Sequence, residues 1–157
     1  MSVIFYRIDD RLVHGQVMTS WTKVYGTNRI FVVDDATAGN SFLCEVMHMA
    51  APREYDVHIL KTADAIERIK NDPPDKKTMV LTKTPEVMLQ LLEGGADMKE
   101  LNVGGMGCAP GRRLVLRSIQ ISPSELETLK QIEAKGVRVY LQIFPDAKSI
   151  ELSKVKL

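Results

Sequence analysis

The sequence predicts an α/β fold: a doubly wound, mainly parallel sheet of about seven strands, helices on both faces and one strand antiparallel. Three observations predict it. The chain has 157 residues and a mass of 17.6 kDa, which suits a single domain spanning 1–157. A domain of this size buries roughly 70% of its unfolded surface and needs no disulfide staples. The composition, 45% hydrophobic and 26% charged, is that of a globular protein. Finally, short β-rich runs alternate with helical patterns from end to end.

The elements follow in order. Val3–Ile8 reads as a strand and Gln16–Tyr25 as a helix, with Gly26 as its terminator. Arg29–Asp34 is the second strand, and Ala38–Ala50 is a helix stopped before Pro52. Asp56–Leu60 is the third strand. Thr62 then caps a helix whose Ala63, Ile66 and Ile69 share one face. Pro73-Pro74 marks a surface loop before the fourth strand, Thr78–Thr82. Thr84-Pro85-Glu86 starts the next helix, which ends at Gly94-Gly95. Leu101–Val103 is the fifth strand and Arg113–Ile121 the sixth. Too few residues join those two for a parallel crossover, so the sixth is the expected antiparallel member. Ser122-Pro123-Ser124-Glu125 is a capping box opening a helix that runs to Lys135 before Gly136. Val137–Phe144 is the seventh strand, and a short C-terminal helix is expected from Pro145.

Charge narrows the function. Lys+Arg number 21 and Asp+Glu 20, a net charge of +1, without the basic excess of most nucleic-acid binders. The three arginines Arg112, Arg113 and Arg117 nevertheless stand in an acid-free stretch from Gly104 to Ser124. Two cysteines without a CxxC spacing fit a reducing cytosol and no Cys-rich metal site. No segment is long and apolar enough to span a membrane, and the N-terminus lacks a signal-peptide pattern. His48 and His58 lack a second ligand at metal spacing. Met47, Met49, Met79, Met88 and Met98 read as core filler, and Trp21 as core.

Ligands of open α/β sheets bind at the carboxyl ends of the strands. After the first strand comes Arg7-Ile8-Asp9-Asp10-Arg11-Leu12-Val13-His14-Gly15. His14 stands immediately before a helix, where an anion is favoured, and a neutral imidazole is a nucleophile. Arg7 and Arg11 flank it as candidate phosphate ligands. Asp9 and Asp10 either orient the imidazole or hold the arginines; Asp10 is taken as the orienting carboxylate. Gly15 allows a phosphate close to the backbone. A second candidate is the loop after the fifth strand, where Gly104, Gly105 and Met106, with Arg112, suit a partner or phosphate rim.

Arg7–Val17, Trp21, Asn28–Asp35, the Asn102–Met106 loop and the Ile121–Glu125 cap closely resemble the mannose/fructose/sorbose-family IIB subunits of the phosphoenolpyruvate-dependent sugar phosphotransferase system. The resemblance covers nearly the whole chain. Only Met106–Gly111 departs from it, being less bulky than the family's loop. It implies that His14 carries a phosphoryl group on its pros nitrogen, Nδ1, with Arg11 binding phosphate. It implies a IIA subunit or domain as donor, and sugar held by the membrane subunits IIC and IID as acceptor. The resemblance also implies a cytoplasmic enzyme that reaches the membrane only through partners. The transfer requires neither metal nor dissociable cofactor. The competing expectation is a non-catalytic anion-binding or regulatory module of the same fold.

Overall fold

The computed structural model describes residues 2–15 and 17–157. Its main sheet has seven strands: β1 (Val3–Asp9), β2 (Arg29–Val33), β3 (Asp56–Leu60), β4 (Thr78–Thr82), β5 (Glu100–Gly105), β8 (Arg138–Leu141) and β9 (Ile150–Glu151), in the spatial order β3-β2-β4-β1-β5-β8-β9. All pairs are parallel except β8–β9. The antiparallel member is therefore β9, at an edge, where the sequence predicted a helix. Only a short 3₁₀ turn, Leu152–Lys154, follows it.

The predicted sixth strand is instead two strands. β6 (Arg113–Leu116) and β7 (Ile119–Ile121) form an antiparallel hairpin outside the main sheet. Ser118, at φ 64°, makes the turn. The hairpin is stitched to the end of β5 by Met106, whose N–H donates to Ser118 O (3.2 Å) and whose carbonyl accepts from Gln120 N (2.7 Å). The expected antiparallel pairing of this run with β5 does not form: the bridge between them, Met106 with Ile119, is parallel.

The helices also differ in detail. A π-helical turn, Val17–Trp21, continues into α1 (Thr22–Tyr25), closed by Gly26 at φ 65°. Gln16, the expected first helical residue, lies outside the described residues. The predicted 38–50 helix is broken at Gly39-Asn40 into α2 (Asp35–Ala38) and α3 (Ser41–Ala50), because Asp34 and Asn40 each cap a separate start. α4 (Thr62–Lys70) begins at the predicted place, but the Thr62 N–H and hydroxyl donate to Asp35. α5 spans Pro85–Glu93 and α6 Pro123–Ala134.

The strands alternate their side chains between two cores. Phe5, Ile30, Val32, Met79 and Leu81 pack with Val17, Met18 and Trp21 on one face. Tyr6, Ile8, Phe31, Val33 and Val80 pack with α4, α5 and α6 on the other. The helix after β1 and the helix after β4 thus lie on opposite faces. These two strands are neighbours, so their carboxyl ends border a crevice of the kind that binds ligands in open sheets.

The capping box at α6 is complete: Ser122 Oγ accepts from Glu125 N (3.1 Å), and Glu125 accepts from Ser122 N (3.0 Å). Replacing Ser122 by alanine is expected to lower stability by about 1 kcal/mol, read as a lower urea midpoint at unchanged slope.

Candidate active site

β1 carries the site out of the sheet. Phe5, Arg7 and Asp9 share one face of the strand by its period of two. The Leu12 N–H donates to Asp9 O (2.9 Å), closing a turn. Leu12 sits in that turn at φ 58° while its side chain is buried. A left-handed leucine is strained, and burial of its side chain holds it there. The turn brings His14 back over the end of β1.

Asp9 is the centre of the site. Its side chain is fully buried and accepts five hydrogen bonds: from Arg7 (3.1 Å), from Arg11 N, Nε and Nη2 (3.1, 3.2 and 3.3 Å), and from His14 Nε2 (3.0 Å). Burial alone raises its pKa, but the His14 hydrogen bond, the Arg7 charge and the Arg11 hydrogen bonds outweigh it, holding the carboxyl below the usual range. An ionised carboxylate only accepts, so His14 Nε2 carries the proton. The lone pair of the neutral ring is then on Nδ1, which has no hydrogen-bond partner among the described residues. The His14 side chain is 16% exposed and that of Arg11 45%.

Arg7 occupies a different place from the one expected. Its side chain is wholly buried and does not face a surface ligand. It bonds Asn102, Asp9 and the carbonyls of Gln142 (3.2 Å) and Ile143 (3.2 Å), with its guanidinium carbon 4.9 Å from the centre of the Trp21 ring. Trp21 Nε1 donates to the same Ile143 carbonyl (3.1 Å). Burial lowers the Arg7 pKa to about 10, against the pull of Asp9, and the guanidinium stays charged near neutrality.

The glycines after β5 make room for these charges. Arg7 pairs with Asn102 and Asp9 with Gly105 across the strands. A side chain at Gly104 would run into the Arg7 guanidinium, and one at Gly105 would meet Asp9 Oδ1 at 2.7 Å. Gly104, Gly105 and Met106 are buried, and of the three only Gly105 borders the cavity beside Arg11. Asp10, expected to orient His14, makes no hydrogen bond to it among the described residues. Its carboxylate accepts instead from Gly107 N (2.7 Å) and lies 3.8 Å from Arg112. The orienting carboxylate is Asp9. Arg112 is also committed: it binds Glu125 through two hydrogen bonds (2.9 and 2.8 Å) and the Gly107 carbonyl (2.8 Å). It braces the loop from behind. Gly15 is exposed, with open space where a side chain would be. A cavity of about 230 Å³ lined by Asp10, Arg11, Gly105, Gly107 and Ser118 opens beside Arg11.

The family model for the sorbose-subfamily IIB component of the PTS matches residues 3–156. The chain belongs to this family. It is 32% identical over 145 residues to the N-acetylgalactosamine-specific phosphotransferase enzyme IIB component 1 of Escherichia coli K12, covering 92% of each chain. It is 34% identical over 135 residues to the mannose-specific EIIAB component of the same strain, covering 85% of this chain but only 42% of that longer one. The crystal structure of the E. coli N-acetylgalactosamine-specific IIB component 1 superposes with a TM-score of 0.89 at 31% identity, over 94% of this chain and 97% of that one. No helix among the described residues of this IIB component is long and apolar enough to cross a membrane.

Asp9→Asn leaves the buried Arg7 charge without its partner and is expected to cost about 3–5 kcal/mol. The pH dependence has a definite sign. Asp9 has a depressed folded pKa, so its contribution is whole above the unfolded value of about 3.9 and is lost as pH falls through the folded one. Urea midpoints measured from pH 6 downward should therefore fall less steeply in Asp9→Asn than in the wild type.

Proposed function

We propose that this IIB component is a cytoplasmic phosphocarrier whose covalent intermediate is a phosphohistidine at His14 Nδ1. The observation that carries this reading is the Asp9–His14 hydrogen bond, which leaves the nucleophilic lone pair on the nitrogen turned away from the carboxylate. The donor is a phosphohistidine on a IIA subunit or domain, a partner whose counterpart is named together with IIB in the EIIAB relative. His14 Nδ1 forms a bond to phosphorus as the donor's N–P bond breaks and the donor imidazole leaves with the electron pair. His14 keeps its Nε2 proton throughout, so the phosphorylated ring is cationic and faces the Asp9 carboxylate at 3.0 Å. That charge makes the ring a good leaving group. In the second step a hydroxyl of a sugar held by the membrane subunits IIC and IID attacks phosphorus. The His14 N–P bond breaks, its electrons return to Nδ1, and the hydroxyl proton departs on the acceptor side. No proton needs to enter or leave the His14 ring.

Arg11, beside His14 and half-exposed, supplies positive charge to the phosphoryl oxygens, and the open space at Gly15 admits them. Positioning and charge suffice for a transfer between two imidazoles, with no metal or dissociable cofactor. Arg7 acts through Asp9 and does not touch the phosphoryl group.

Incubation with phosphoenolpyruvate, the general phosphotransferase proteins and a cognate IIA protein is expected to label the chain. The label should be acid-labile, base-stable and absent from His14→Ala; absence of label on the wild type with a competent donor contradicts the carrier reading. Arg11→Ala should slow transfer by about 100-fold with little change in thermal stability, whereas Asp10→Asn should leave transfer near the wild-type rate, as measured by rapid-quench phosphorylation.

A further inference from the structure

The β6–β7 hairpin contributes no hydrogen bond to Asp9 or His14 among the described residues, yet it stands beside them. β7 faces Met106 at the end of β5, so β6 is the outer strand of the ribbon. Ile119 and Ile121 of β7 are buried on one face. Leu114 of β6 lies opposite Gln120 on the other face and is 69% exposed. Exposure alone does not mark a surface: Met49, which the sequence reads as core, is 84% exposed on α3. Charge and position set the hairpin apart.

Among the described residues Arg7, Arg11, Arg29, Arg68, Arg112 and Arg138 each hold a carboxylate or an aromatic ring. Arg113 and Arg117 have no ion pair, side-chain hydrogen bond or ring contact there, and both are exposed. Arg113 opens β6 and Arg117 directly follows it, about 13 Å apart at the strand rise, with Leu114 between them. No carboxylate stands in the stretch from Gly104 to Ser124. Arg117 directly precedes Ser118, which lines the cavity beside Arg11. A protein that covers His14 and Arg11 therefore meets the Arg117 end of the ribbon.

We propose that β6, through Arg113, Leu114 and Arg117, is the docking surface for the phosphoryl donor, and that it fits an acidic face of that protein with an apolar contact at its centre. The proposal rests on the carrier reading of His14, which brings a protein donor to this edge. Unpaired guanidiniums match carboxylates, and a phosphorylated donor adds negative charge of its own. Two other occupants match less well. Cytoplasmic loops of membrane proteins carry a Lys/Arg excess, so the membrane subunits offer the wrong sign. An anionic leaflet is held by clusters of about four to eight Lys/Arg, and this ribbon has only Arg113 and Arg117. Charges at the rim of an interface act on encounter and register, so these arginines govern association and leave the chemistry to His14.

The test is the rate at which the phosphorylated cognate IIA protein labels the full chain, followed against IIA and salt concentration. Reversing both charges, Arg113→Glu with Arg117→Glu, is expected to raise KM for IIA by about 10-fold or more at low salt. The rate at saturating IIA should stay near the wild-type value, and the KM effect should largely vanish at about 0.5 M salt. Arg113→Lys with Arg117→Lys should stay close to the wild type. Leu114→Ser should raise KM by about 10-fold with little salt dependence. Far-UV spectra check that each variant keeps the fold. A KM indifferent to charge reversal overturns the proposal. So does a loss confined to transfer from His14 to sugar, or a loss of binding to phosphatidylglycerol vesicles with KM for IIA unchanged. Calorimetric titration with unphosphorylated IIA reads docking apart from chemistry. An affinity that falls in the double Glu variant, while the wild type takes no label, counts against the carrier reading and leaves the docking surface standing.

Discussion

The ion pair between Arg7 and Asp9 is the constraint around which the molecule is arranged. Both side chains are wholly buried, and an isolated buried charge is costly. The surroundings answer that cost group by group. Asn102 and the carbonyls of Gln142 and Ile143 take the Arg7 hydrogens, and Trp21 offers the face of its ring. Gly104 and Gly105 give up side chains so that both charges can lie across β5. One pair thereby ties β1 to β5, to the end of β8 and to the helical turn after His14. The remaining lone pairs of Asp9 face Arg11 and His14, so the interaction that locks the sheet also sets the histidine.

Most of the fold was legible because it rests on local patterns. The alternation of apolar runs, the Ser122–Glu125 box and Gly26 are signals a few residues long. What was misread depends on partners far apart in the chain. The Arg113–Ile121 run is one continuous β-rich string in sequence, and only the turn at Ser118 and its attachment to Met106 make it a hairpin. β9 is two residues long and is a strand only because β8 lies beside it. Asn40 sat inside an apparently helical run, although its side chain is well suited to capping and thus to starting a new helix.

At the site, the loop and its histidine were recognisable, but the division of labour among charges was not. Composition places arginines next to a histidine and suggests phosphate. Burial reverses that for Arg7 and leaves Arg11 as the arginine within reach. One signal was available: in a strand, Arg7 and Asp9 share a face while Asp10 points the other way, so Asp9 was the carboxylate able to pair with Arg7. The same period explains why Asp10 reaches the Gly107 loop. Arg112, Glu125 and the capping box then hold that loop against Asp10, so a device that starts α6 also stiffens one wall of the site.

The central claim is that Asp9 fixes the tautomer of His14 and thereby chooses the nitrogen that reacts. The direct test is ¹⁵N NMR of the protein labelled at histidine, before and after phosphorylation. The account predicts that the neutral form of His14 has its proton on Nε2, and that phosphorylated His14 has phosphorus on Nδ1 and the proton still on Nε2. A resting proton on Nδ1, or phosphorus on Nε2, would contradict it.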